Sequence, residues 1–175
     1  MPNYRRASAP GGTFFFTVVL LDRQSGLLIQ HIDTLRKAFR VVRARHAFSV
    51  DAIVVLPDHF HSLWTLPPGD ADFSTRMRQI KTAFSRALPR DERRSALQKA
   101  RGERGIWQRR YWEHLIRDED DLHRHLDYLH YNPVKHGHVR QVSEWPYSSF
   151  RRFVQAGHYD QDWGGTDNAR TADWE

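Results

Sequence analysis

Residues 48–67 read FSVDAIVVLPDHFHSLWTLP. Two β-branched, aromatic runs flank Pro57-Asp58, a turn pair, so the stretch predicts a β-hairpin. Side chains on a strand alternate between faces, so the second arm would aim His59 and His61 together from one face and Phe60 from the other. Paired imidazoles in an otherwise apolar arm have two readings: two ligands for one ion, or two half-buried, hydrogen-bonded histidines.

Working outward, GGTFFFTVVLLD (residues 11–22) is aromatic and β-branched after a glycine pair and predicts a buried strand. In IDTLRKAFRVVRARH (residues 32–46) Leu35, Phe39 and Val42 recur at helical spacing. DADFSTRMRQIKTAFSRAL (residues 70–88) offers Asp70 or Asp72 as N-cap, with Phe73, Met77, Ile80 and Phe84 on one face. A polar connection leads to IWQRRYWEHLIR (residues 106–117), read as a strand. DEDDLHRHLDYLHYN (residues 118–132) opens with acids that suit a helix N-terminus and ends at Asn132-Pro133, where a helix is expected to stop or kink. The order β α β β α β α predicts an α+β fold with a ferredoxin-like antiparallel sheet and helices packed on it. Residues 1–157 are expected to form one domain and residues 158–175 an acidic C-terminal tail.

With 175 residues the chain suffices for one domain with a proper core and is short for two. No run approaches the ~20 apolar residues of a membrane helix, and MPNYRRASAPGG lacks the apolar segment of a secretory signal, so a soluble, cytoplasmic protein with no membrane partner is expected. The absence of cysteine excludes disulfides and thiolate metal sites, leaving imidazole, oxygen and amide ligands. Lys and Arg total 27 against 21 Asp and Glu, with a formal net charge of +6. The excess is local: Phe73 to Arg110 holds 12 basic and 3 acidic residues, whereas Asp160 to Glu175 holds 5 acidic and 1 basic. A basic middle points to a polyanion, most simply nucleic acid, although a solvated arginine-rich surface has the same composition.

On a helical wheel Leu122, Leu126 and Leu129 form a buried stripe, while Asp121, His125, Tyr128 and Asn132 share one flank. Tyr128 and Asn132 are surface neighbours at i and i+4. A divalent ion held by His59, His61 and the Asn132 side-chain oxygen would polarise a phosphodiester, and Tyr128 would supply a nucleophile. A free phenol has a pKa of about 10 and needs a neighbouring cation or base, which the sequence does not identify.

These residues resemble a known family. HFH is similar to the His-hydrophobic-His motif of HUH single-strand endonucleases. LPDHFH, DADF, WQRRYWEH, HRHLDYLHYNPVKHG and EWPYSSF resemble the REP-associated tyrosine transposases, the single-tyrosine branch, from about Tyr4 to Trp163. The resemblance implies a ferredoxin-like catalytic domain, Mg2+ or Mn2+ at His59, His61 and Asn132, and Tyr128 as the nucleophile that forms a 5′-phosphotyrosine. It implies as substrate single-stranded or hairpin DNA of repetitive extragenic palindromes, cleaved and rejoined by a nucleoid-associated enzyme, monomer or homodimer. Insertion-sequence relatives usually carry Gln where this chain has Asn132.

Around this centre, Arg5 and Arg6, Arg78 and Lys81, Arg109 and Arg110, and Lys135 and His136 are expected DNA contacts, the arginines beside Trp107, Tyr111 and Trp112 in the manner of single-strand binders. His125 and His114 are expected as hydrogen-bonding partners behind the site. Tyr131, off the Tyr128 flank, reads as packing. Two other readings compete: a non-catalytic nucleic-acid-binding module on a ferredoxin-like sheet, and a hydrolytic phosphoesterase that forms no covalent adduct.

Overall fold

Three consecutive phenylalanines build the centre of the molecule from one strand. The computed structural model describes residues 7–90 and 94–172; Arg5 and Arg6 lie outside the described residues. The elements run β1 (Thr13–Val19), α1 (Leu27–Gln30), α2 (Ile32–Arg45), β2 (Ser49–Val55), β3 (His59–Thr65), α3 (Phe73–Ala87), α4 (Ala96–Ala100), β4 (Trp112–Leu115), α5 (Glu119–Lys135), α6 (Phe150–Gln155) and α7 (Asp167–Thr171). The four strands form one antiparallel sheet in the order β2-β3-β1-β4, the ferredoxin-like topology expected.

Because β1 and β3 are central, both of their faces are buried. Phe14 and Phe16 join Phe60, Trp64 and the apolar faces of α2 and α3 on one side. Phe15 joins Leu63, Ala52, Val54 and, from α5, Leu126, Tyr128 and Leu129 on the other. Helices therefore cover the sheet from both sides, and α5 alone of the long helices lies on the face shared by His59 and His61. On the α2–α3 side, Trp64 Nε1 donates to Ser62 Oγ (2.7 Å), which donates to the Ala52 carbonyl (3.1 Å).

Local signals explain the ends. The Asp72 carboxylate accepts from Thr75 N (2.9 Å) and caps α3; the Asp118 carboxylate accepts from Asp121 N (2.8 Å) and caps α5. Two boundaries differ from expectation. α5 runs on through Pro133 to Lys135, since a proline this close to the end removes one ladder bond and His136 N still reaches the Asn132 carbonyl (3.0 Å). The strand read from residues 106–117 is only the four residues of β4, preceded by a single bridge, Leu20 to Trp107.

His130, on the far side of α5, is fully buried and bonded to Ser149 Oγ (2.9 Å), which also accepts from Ile53 N (3.0 Å). Burial pushes its imidazole down to about 3. Below the ordinary value of 6.5 the unfolded chain takes up a proton that the folded chain refuses, so this group costs stability as pH falls. Between pH 7 and pH 5, urea unfolding should show wild type losing about 2 kcal/mol more than His130→Gln. Parallel pH profiles for the two proteins would contradict this.

Candidate active site

β3 and α5 face each other where the sequence placed its polar residues. His59 and His61 project from β3 towards α5, their rings 4.9 Å apart and nearly perpendicular. From α5, Asn132 Oδ1 reaches within 3.3 Å of His59 Nε2, and the Tyr128 ring lies 5.3 Å from that of His61. His136, one turn beyond Asn132, brings its ring to 5.2 Å from that of His59.

Each imidazole is fixed from behind. His59 Nδ1 donates to Asp58 Oδ1 (2.8 Å), and Asp58 is bound at its other oxygen by Arg23 Nε (2.6 Å). Burial alone would raise the Asp58 carboxyl, but the hydrogen bonds and charges of His59 and Arg23 outweigh it and hold the group well below the usual carboxylate range. The other ring nitrogen, Nε2, faces the Asn132 oxygen, so that an imidazole nitrogen and an amide oxygen, both ligand atoms for a cation, lie side by side. His61 Nδ1 is held by Thr17 Oγ1 (2.9 Å), across the β1–β3 ladder. Asn132 Nδ2 is buried and makes no hydrogen bond among the described residues, which leaves the amide oriented by what its oxygen meets. Two imidazoles and an amide oxygen, without sulfur, fit a divalent ion of intermediate or hard character.

Asp58, Thr17 and Arg23 were not singled out in the sequence. Asp58 is adjacent to His59, and a carboxylate beside a ligand histidine is the available signal for it.

Tyr128 is 0% exposed. Its hydroxyl is 3.5 Å from Lys135 Nζ, which also lies 4.9 Å from the ring centroid and donates to the Ala172 carbonyl (2.9 Å). The ammonium thus stands where negative charge would develop on an attacking phenolic oxygen, the neighbouring cation that the sequence left unidentified. The polar flank of α5 is buried because it lies against the sheet, with His125 and Tyr128 packed on Phe15 and Tyr128 on His61, while residues 159–172 pack along the other side of the helix and reach Lys135. The Tyr159 hydroxyl donates to Asp127 (2.8 Å), Ala169 of α7 is buried, and Gly165, at φ +88°, packs so tightly on Tyr131 that a Cβ would come within 2.5 Å of the ring.

His114 and His125 meet at a different point. Both contact Asp121, His114 through Nε2 (2.8 Å) and His125 through Nδ1 (3.3 Å), and their rings stack at 4.5 Å. The donor atoms are close enough to hold an ion. However, Asp121 also accepts from Arg117 N and Nε and pairs with Arg124, so two guanidinium groups already neutralise it. Burial would raise this carboxyl, yet Arg117 and His114 hold it well below the usual range, and burial lowers His125. A cation has less to gain there than between His59 and Asn132, and the cluster instead anchors the start of α5 to β4.

Apart from Lys135 and His136, the described basic residues expected to contact DNA lie away from Tyr128. Arg78, Lys81, Arg86, Arg101, Arg104 and Arg109 line a groove of about 1130 Å³ between α3 and residues 95–109, on the opposite side of the sheet from α5. Lys81 Nζ donates to the Gln108 carbonyl (2.8 Å), and Arg109 pairs loosely with Glu103 (3.6 Å). Arg110 is exposed just before Tyr111. Tyr131 packs edge-on against Trp163, as expected of a packing residue. Among the described residues no helix is long and apolar enough to cross a membrane.

Known proteins resemble this chain in sequence and in fold. The family described as "Transposase IS200 like" matches residues 15–132, a span that begins at Phe15 and ends at Asn132. A REP-associated tyrosine transposase of Escherichia coli K12 is 47% identical over 165 residues, covering 94% of this chain and 92% of that one. A Haemophilus influenzae relative assigned to the same group is 50% identical over 167 residues, covering 94% of both chains. Among solved structures, a REP-associated tyrosine transposase bound to a REP hairpin superposes with a TM-score of 0.84 at 45% identity, covering 99% of this chain and 96% of that one. The chain belongs to the IS200-like transposase family, among its REP-associated tyrosine transposases.

Proposed function

We propose that this protein cuts and rejoins single-stranded DNA beside palindromic-repeat hairpins, with Tyr128 as nucleophile and a divalent ion, Mg2+ or Mn2+, at His59, His61 and Asn132. The observation that carries this reading is the convergence of the His59–Asn132 pair, His61 and the Tyr128 ring on one buried point between β3 and α5. The hairpin-bound relative supports the substrate.

Tyr128 Oη attacks the scissile phosphorus, forming a 5′-phosphotyrosine while the 3′ oxygen leaves and takes up a proton; a second 3′-hydroxyl reverses the step and rejoins the strand. The bound ion supplies Lewis-acid polarisation of the non-bridging phosphate oxygens. Asp58 accepts from His59 Nδ1 and leaves Nε2 of that ring facing Asn132, while Thr17 holds the His61 ring in place through Nδ1. Lys135 neutralises charge at the phenolic oxygen. The groove carrying Arg78, Lys81 and Arg109, with the exposed Arg110, takes phosphates of the hairpin, and His136 contacts DNA at the site; Arg5 and Arg6, outside the described residues, add positive charge for the same DNA.

Incubating the full chain with end-labelled hairpin DNA, with and without Mg2+ or Mn2+, should give a metal-dependent cut and a labelled protein band on denaturing gels. Cutting without an adduct would indicate a hydrolase, and binding without cutting a non-catalytic module.

The covered tyrosine has its own consequence. The Lys135 ammonium beside the buried Tyr128 hydroxyl is tied to the Ala172 carbonyl at the end of α7, and we propose that this segment must give way before DNA reaches the hydroxyl. Ending the chain after Gly165 keeps the Tyr159 and Trp163 packing on α6 and removes α7. Single-turnover cleavage should then rise by about five- to tenfold, the effect of releasing one hydrogen bond and a small apolar contact. An unchanged rate would show that α7 does not limit access.

A further inference from the structure

We propose that Trp112 is a stacking platform for an unpaired base that flanks the scissile phosphate, a subsite resting on the functional reading above. Trp112 is one of the few large apolar side chains left open, at 37% exposure, and it sits on β4, the free edge of the sheet. Its register places it. Thr17 pairs with His61 on one side and with Trp112 on the other, so the three residues form one row across β3, β1 and β4 on the face covered by α5. Two strand spacings, ~10 Å, separate Trp112 from the ligand histidine, the reach of a neighbouring nucleotide rather than of the scissile one.

The ring is also held for the task. Its plane lies within 11° of His114 and 15° of His125, at centroid distances of 5.7 and 6.4 Å, and the Phe15 ring meets it edge-on at 5.8 Å. Asp121 clamps both histidines from behind, so the indole is backed by rings that cannot swing away. A fixed, partly exposed aromatic plane suits the π-face of a base and tolerates any sequence. The occupant follows from the surroundings. Arg109 and Arg110, both exposed, precede Trp112 by three and two residues, and Arg109 also lines the basic groove. The segment 107–112 thus leads from a surface for phosphates to an aromatic plane and on to the row containing His61. A strand leaving a duplex stem in that groove passes Trp112 before it reaches Tyr128.

The test measures affinity without metal, so that it is independent of cleavage. Hairpin DNA with a single-stranded flank is prepared intact and with each unpaired nucleotide replaced in turn by an abasic site. Binding by wild type, Trp112→Ala and Trp112→Phe is followed by anisotropy. Trp112→Ala should bind the intact DNA about tenfold more weakly, and Trp112→Phe should retain most of the affinity. At one flank position the abasic substitution should cost wild type the same factor and cost Trp112→Ala nothing. Wild-type affinity in Trp112→Ala, or equal abasic penalties in both proteins at every position, would overturn the subsite while leaving the functional reading intact. A wild-type protein that binds no hairpin DNA would overturn both. Should the alanine variant fail to fold, Trp112→Leu, which fills the space beside Phe15 without offering an aromatic face, takes its place in the abasic comparison with the same expected outcome.

Discussion

Replacing Tyr128 with phenylalanine is expected to abolish the protein–DNA adduct and slow strand cleavage by about 10⁴-fold or more, with folding and hairpin affinity nearly unchanged. The substitution removes one oxygen from a ring whose packing against Phe15 and His61 stays in place. The hydroxyl lies at 3.5 Å from Lys135 Nζ, so its loss costs about 1 kcal/mol of stability at most. The proposed mechanism makes cleavage depend on it entirely, because no other described hydroxyl on that flank of α5 stands beside the histidine pair. A Tyr128→Phe protein that still cuts at a tenth of the wild-type rate would move the nucleophile elsewhere.

The second large effect falls on the ion. His59→Ala deletes a ring that is almost fully buried and leaves Asp58 with Arg23 alone. Mn2+ affinity, measured by calorimetry on the protein without DNA, should fall by about 100-fold, and metal-dependent cleavage with it. Some destabilisation accompanies the cavity, about 1–3 kcal/mol, so the binding measurement is made well below the melting temperature. Asp58→Asn provides a gentler version, since it keeps the ring and removes only the charge that orients it. Unaltered Mn2+ affinity in His59→Ala would place the ion at another cluster, with His114, Asp121 and His125 the alternative set.

How much of this was legible in the sequence depends on how local each feature is. The histidine pair could be read because strand periodicity forces His59 and His61 onto one face whatever surrounds them. The Tyr128–Asn132 flank could be read because helical spacing does the same. Both signals are backbone arithmetic, and the sheet order follows from connections between adjacent elements. Features that depend on residues far apart in sequence were not legible. Nothing in the order of residues shows that Thr17 lies across from His61, or that the carbonyl of Ala172 takes the Lys135 ammonium. The polar flank of α5 reads as solvent-facing on a wheel; its burial is a property of Phe15, His61 and His114 on the sheet, far away in sequence. Trp112 was ambiguous for the same reason, since exposure on an edge strand is set by where the sheet stops.

The most direct measurement is to digest the adduct formed with hairpin DNA and Mn2+ and find by mass spectrometry which residue carries the nucleotide. The account predicts a 5′-phosphonucleotide on Tyr128 alone, absent without metal and absent in His59→Ala. A nucleotide on Tyr131, or cleavage with no modified tyrosine, would contradict it.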